Sequence, residues 1–172
     1  MRTLQMLLAS MVLAAAFGGI TATAADPELS LTISLAPGTA KADAEVKLAI
    51  VLTNLTDHVV YIGRLWTLSG AELEYNFDVR DTQGNRVPLT RYGRALHGTP
   101  DKGDDRNDCG DCSEVGVWIQ PHEKVADEVL ISKIYELSKP GKYTIQASGA
   151  ERRLVGNSYA IKSNSVALTV TN

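Results

Sequence analysis

The chain has 172 residues, 22% of them charged, with 17 lysines and arginines against 20 aspartates and glutamates and a net charge of −3. That length suits one domain with a real hydrophobic core. The acidic balance excludes a nucleic-acid binder, which needs a basic footprint, and a polybasic membrane-surface protein.

Met1-Arg2-Thr3 opens the chain. An apolar run follows from Leu4 to Ile20 and ends in Thr21-Ala22-Thr23-Ala24-Ala25-Asp26. A positive start, a short apolar core and a small-x-small site have the form of a secretory signal peptide. The expectation is a signal peptide over 1–25, cleaved after Ala24 or Ala25, and a mature domain over 26–172. An uncleaved anchor is the competing reading. Gln5, Ser10 and Gly18-Gly19 interrupt the run, which favours cleavage. No other stretch approaches the roughly 18 apolar residues of a spanning helix. No cysteine lies near the cleavage site to carry a lipid. The expected location is the periplasm or the extracellular medium. The mature chain then holds sixteen basic and twenty acidic side chains, a net charge of about −4.

Beyond the signal, apolar residues recur with the strand period of two. Leu29, Leu31, Ile33 and Leu35 alternate with Ser30, Thr32 and Ser34, and Pro37-Gly38 ends the run. Val46, Leu48, Ile50 and Leu52 form the next strand. Its other face holds Ala49 and Val51, which predicts a central strand covered on both sides. Asn54-Leu55-Thr56-Asp57 is a turn, and Val59–Ile62 resumes as a strand. Tyr75, Phe77 and Val79 alternate before Asp81-Thr82-Gln83-Gly84-Asn85, a hairpin in which Gly84 takes positive φ at little cost. Val87-Pro88-Leu89 suggests an edge strand, because proline cannot donate to a ladder. A polar loop runs from about His97 to Ser113. Val115, Val117 and Ile119, then Val125 to Ile131, are further strands. Ser132 to Leu137 has room for one helical turn. Tyr143, Ile145 and Ala147 alternate after Pro140-Gly141, and Val166, Leu168 and Val170 close the chain.

Seven to nine short strands with turn signals and no long helix predict an all-β fold, a single immunoglobulin-like antiparallel β-sandwich. Tyr143 sharpens the expectation. It stands two residues before the inward Ile145 and just after a tight turn, the place of the corner tyrosine that bonds back to the backbone in immunoglobulin domains. A buried core tyrosine is the alternative. Ile145 stands where those domains carry a cysteine, so an antibody-type disulfide is excluded.

Several segments carry a family resemblance. They are Val46 to Asn54 followed by Thr56-Asp57, and Phe77-Asp78-Val79-Arg80-Asp81 with Gly84 and Val87-Pro88. Ile134 to Ile145 and Ser163-Asn164-Ser165-Val166 complete the set. Together they resemble uncharacterised secreted immunoglobulin-like sandwich proteins of environmental bacteria. More loosely, they are similar to the non-catalytic sandwich domain of deuterolysin-like metallopeptidases and to BsuPI-type proteinase inhibitors. The resemblance covers most of the mature chain and implies a sandwich. It carries over no functional residue.

Candidate sites are few. His122-Glu123-Lys124-Val125-Ala126 begins like H-E-x-x-H, but Ala126 replaces the second histidine, and Pro121 points to a turn entering a strand. No zinc site is expected there. Cys109-Gly110-Asp111-Cys112 has C-x-x-C spacing. In an oxidising compartment the expectation is a Cys109–Cys112 disulfide pinning a loop, with redox or metal roles as alternatives. So short a ring contributes at most about 2 kcal/mol. The surrounding loop is acidic: Asp101, Asp104, Asp105, Asp108, Asp111 and Glu114 face only Lys102 and Arg106. A solvated loop, a partner contact and a calcium site all fit that charge, though Cys109 occupies a ligand position of the calcium-loop pattern. Trp66 and Trp118 are expected in core or edge packing, with a ligand platform as the alternative. Asn54-Leu55-Thr56 has the form of a glycosylation sequon, without consequence in a bacterial host. No G-x-S-x-G, P-loop or dinucleotide fingerprint is present.

The expected function is therefore a non-enzymatic exported binding or accessory module. Its partner would be another protein, met at the 97–113 loop. No cofactor is expected beyond calcium. A proteinase inhibitor is the alternative that the BsuPI resemblance implies. An enzyme whose site is not visible in linear order is the third reading, since sandwiches can host catalysis.

Overall fold

The structure is a computed structural model and describes residues 27–66, 70–97, 113–151 and 159–172. The expected signal peptide, 1–25, lies outside the described residues. Nine strands occur among the described residues. They are β1 (Leu29–Leu35), β2 (Thr39–Lys41), β3 (Lys47–Asn54), β4 (Val60–Trp66), β5 (Tyr75–Asp81), β6 (Ser113–Ile119), β7 (Lys124–Leu130), β8 (Gly141–Glu151) and β9 (Tyr159–Thr171). Two short helices, α1 (Arg91–His97) and α2 (Ile131–Ile134), and a 3₁₀ turn over Gly70–Leu73 join them.

Alternation decides which side chains face inward. One sheet has the order β1-β3-β7 and another β2-β9-β8-β5, while β4 and β6 form a separate two-stranded ribbon. All pairs are antiparallel except the short β2, which runs parallel to β9. Leu31, Ile33, Leu48, Ile50 and Val129 of the first sheet join Phe77, Val79, Ile145 and Leu168 of the second in one buried cluster. Two sheets closing one apolar core make an immunoglobulin-like β-sandwich. Leu48, Ile50, Ile145 and Leu168 are fully buried, and each such side chain stabilises the fold by about 1.5–3 kcal/mol.

Tyr143 forms the expected corner. Its ring is buried and its hydroxyl donates to the Lys139 carbonyl at 2.7 Å. Tyr143→Phe keeps the ring and loses that bond. It should cost about 1 kcal/mol, or about 3 °C in Tm, read by thermal unfolding at pH 7. An unchanged Tm would mean that the bond adds nothing to the corner.

A second tie closes the seam between the sheets. The Ile33 N–H donates to Asn164 Oδ1 at 2.9 Å, and Asn164 Nδ2 donates to the Ile33 carbonyl at 3.1 Å. The amide side chain thus acts as one residue of a neighbouring strand. It is placed there by an irregularity in the β8–β9 ladder between Gln146 and Ser148. At the same irregularity the Ser163 hydroxyl accepts the Ala147 N–H at 2.9 Å and donates to the Asn164 carbonyl at 2.7 Å.

Four expectations change. β3 is central, but Lys47 and Ala49 on its outer face are exposed, so only one side is covered. Val87–Leu89 is not a strand. The Val87 N–H donates to the Val79 carbonyl at 2.9 Å, and only isolated bridges join Arg80 to Arg86 and Leu89 to Tyr135. Pro88 has no N–H with which to extend a ladder. α1 is not foreseeable from the pattern, because seven residues are too few to show a helical period. Its start is set by Thr90, whose hydroxyl accepts the Gly93 N–H at 3.0 Å. β9 begins at Tyr159 instead of near Val166. Its first half pairs with β8 and places Ile161 against the core, while Lys162, Ser163, Asn164 and Ser165 interrupt the apolar alternation before Val166. The single helical turn expected over 132–137 is observed as α2.

Candidate functional site

The β4–β6 ribbon adjoins β3 and β7 through two turns, 55–59 and 120–123. Asn54 holds the junction. It continues the inward series Leu48, Ile50 and Leu52, and it is fully buried. Its Nδ2 lies 2.8, 3.1 and 3.0 Å from the carbonyls of His58, Ile119 and Gln120, so two protons are shared among three acceptors. Its Oδ1 accepts the Thr56 N–H at 2.9 Å, and the Thr56 hydroxyl lies 2.7 Å away. An amide so engaged cannot carry a glycan. His122, at φ 60°, lies in the second turn with Nε2 2.9 Å from Asp57 Oδ1, and the Glu123 carboxylate accepts the Gln120 N–H at 2.7 Å. His122-Glu123 therefore belongs to a turn entering β7, as Pro121 implied. The His122–Asp57 pair is exposed and adds little.

The ribbon has two unlike faces. Val60 pairs with Ile119 and Ile62 with Val117; these point inward, and Val60, Ile62 and Ile119 are buried. Tyr61 pairs with Trp118 and Gly63 with Gly116 on the outer face. The Tyr61 and Trp118 ring centroids are 4.2 Å apart, tilted by 39°. The Tyr61 ring lies across Gly116, where an added Cβ would come 1.7 Å from the tyrosine hydroxyl. Only glycine leaves room for that ring. Tyr61 thus has a structural role, covering a bare stretch of sheet. Trp118 does not share it, being 64% exposed. Core packing, one of the places expected for Trp118, is overturned. The Trp66 side chain lies outside the described residues. Leu55, Val59 and Val115 are also exposed, so the ribbon and its first turn concentrate the large exposed apolar side chains among the described residues.

Beneath the ribbon is a charged cluster. Arg64 follows the inward parity of Val60 and Ile62, and Asp127 stands between the inward Val125 and Val129. Arg64 Nε lies 3.1 and 3.0 Å from the two Glu74 carboxylate oxygens, and Nη2 bonds both Glu74, at 2.5 Å, and Asp127, at 2.8 Å. The Tyr75 hydroxyl donates to the same Asp127 oxygen at 3.1 Å. Burial opposes the Arg64 charge, but bonds to Glu74 and Asp127 outweigh it and hold the guanidinium more firmly protonated than usual. Burial, then the Asp127 charge, raises the Tyr75 phenol well above its ordinary value.

Tyr135 is shifted the same way. Its hydroxyl donates to the Phe77 carbonyl at 2.6 Å, and burial, then the Asp78 charge, pushes its pKa up to about 12. Unfolded tyrosine ionises near pH 10. Both phenols are therefore neutral in either state below pH 10. Above it the unfolded state releases protons that the folded state keeps, so stability is lost as pH rises through about 12. Tyr135 alone should account for on the order of 2 kcal/mol of that loss. Urea unfolding at pH 8, 10 and 11 should show the decline, with a shallower slope in Tyr135→Phe. Equal slopes would refute the assignment.

Asp101, Asp104, Asp105, Asp108, Asp111, Cys109 and Cys112 lie outside the described residues. Glu114 is in β6 opposite Leu65, and its side chain lies outside them too. The acidic segment thus leads in sequence directly into the ribbon. Among the described residues no group of three or more histidines, cysteines or acids could hold a metal. No helix among them is long and apolar enough to cross a membrane. Sequence reasoning missed Tyr61, Arg64, Glu74 and Asp127. Arg64 and Asp127 carried a signal, a charge at an apolar parity position.

No known protein family matches the chain, and no curated protein matches it in sequence. Among solved structures it is similar to the CARDB domain of a Pyrococcus furiosus protein, solved in complex with di-metal ions. The two share 12% sequence identity over 84% of this chain and 94% of that one, with a TM-score of 0.39.

Proposed function

We propose that this protein is an exported, non-catalytic binding module that takes a protein partner on the outer face of the β4–β6 ribbon. The observation that carries the proposal is Trp118, a large aromatic 64% exposed and backed by Tyr61. Tryptophan and tyrosine dominate the energetics of protein interfaces because they offer a wide apolar surface at little entropic cost. Folding alone gives no reason to keep such a side chain in water. The acidic 97–113 segment leads in sequence into β6, and its charge favours a basic partner.

The test is affinity capture from the host's extracytoplasmic extract. Three baits are compared: the mature protein, Trp118→Ala, and a variant with the loop aspartates changed to asparagine. Capture by Trp118→Ala should weaken at least about tenfold. Its stability should stay within about 0.5 kcal/mol, since the side chain is exposed. The loop variant should fall further behind the mature protein as salt is lowered. Undiminished capture by Trp118→Ala would sink the assignment of the surface. A protease recovered as the partner, and slowed by the protein, would identify the binding as inhibition.

A further inference from the structure

Strand edges are sticky, and folded proteins guard them. The edge of β1 is occupied by the Asn164 amide, which takes both polar groups of Ile33. β7 carries exposed Lys124 and Glu128 and the inward charge of Asp127. β2 is three residues long. At β5 the Phe77 carbonyl is taken by Tyr135 and the Val79 carbonyl by the Val87 N–H. β6 has one charge, Glu114 near its start, and otherwise none of these devices among the described residues. It is seven residues long, reads Ser113-Glu114-Val115-Gly116-Val117-Trp118-Ile119, and pairs on one side only among the described residues. β4 also pairs on one side only among the described residues, but like β7 it carries an inward charge, Arg64; on β6 Val115 is 41% and Trp118 64% exposed. A two-stranded ribbon is marginal without a third strand.

From this contrast between guarded edges and β6, we infer that an extended segment of the partner protein adds to β6 as a third strand of the ribbon. The inference rests on the proposed binding function and names its mode. Main-chain bonds to β6 would supply affinity, and alternate apolar residues would cover Val115 on one face and Trp118 on the other. The occupant is a basic-flanked strand, whose charge complements Glu114 and the acid-rich sequence that precedes β6, whereas a second copy would bring like charge to that edge.

The probe is a displayed library of random decapeptides panned on the mature protein, with selected sequences resynthesised. Selected peptides should alternate apolar residues and carry lysine or arginine at one end. Methylating the peptide's backbone nitrogens at alternate residues should abolish binding by at least tenfold in one parity and spare the other. Equal effects in both parities, or no selected peptide, would overturn strand addition. So would sedimentation of the free protein as a dimer, which gives the edge to a second copy. Trp118→Ala separates the two claims. Weaker binding without a parity effect keeps the aromatic surface and removes the added strand; a parity effect insensitive to Trp118→Ala does the reverse.

Discussion

Arg64→Met should destabilise the sandwich by about 3 kcal/mol or more. Methionine preserves most of the apolar stem, so packing changes little. What is lost is the cation that sits between Glu74 and Asp127, whose side chains are only 12% and 16% exposed. Two carboxylates would then be left in a poorly hydrated site without that counter-charge. Such an uncompensated burial costs more than the intact pair contributes. The cluster also joins β4 of the ribbon, β7 of one sheet and Tyr75 of the other, so its loss loosens all three. The urea midpoint at pH 7 measures the effect. The triple variant Arg64→Met, Glu74→Gln, Asp127→Asn should recover most of the loss, because neutral groups need no cation. If it is as unstable as Arg64→Met, the charge explanation fails and lost packing replaces it.

Asn54→Leu should cost about 2–4 kcal/mol, although leucine matches the shape of asparagine and buries well. Asn54 serves three carbonyls and accepts from Thr56, and its own side chain is fully buried among them. Leaving several such polar groups unpaired exceeds what one apolar side chain returns. The damage should be local before it is global. Hydrogen exchange should speed first at the amides of β4 and β6, while β8 and β9 keep their protection. Thr56→Val removes fewer bonds and should cost about 1 kcal/mol. Uniform acceleration across all strands would show that Asn54 supports the whole fold and not the ribbon junction.

Asn54 and Asp127 occupy positions that alternation assigns to the core, where neither belongs by polarity. The parity is visible in the linear sequence, and with it the question of what satisfies each group. The answers are not visible, because Glu74, Arg64, Ile119 and Gln120 come from other segments. Asn164 is similar: it lies just before the apolar alternation that starts at Val166, and only packing brings its amide to Ile33. The acidic 97–113 segment draws attention by charge. Trp118, a few residues further on, reads as packing because an apolar side chain in an alternating strand usually faces inward.

Strands, turns and the corner tyrosine are legible from the chain alone because they depend on neighbours within a few residues. Side chains two apart share a face, glycine and asparagine permit turns, and Tyr143 needs only a carbonyl four residues back. The all-β sandwich follows from enough such local choices pointing the same way. Tertiary structure alone decided that β4 and β6 leave the main sheets as a ribbon and that Tyr61 meets Trp118 over Gly116. It also decided that Arg64 sits between two acids. Each of those requires register between segments distant in sequence. Register is set by the packing of whole faces, which no short window of residues contains.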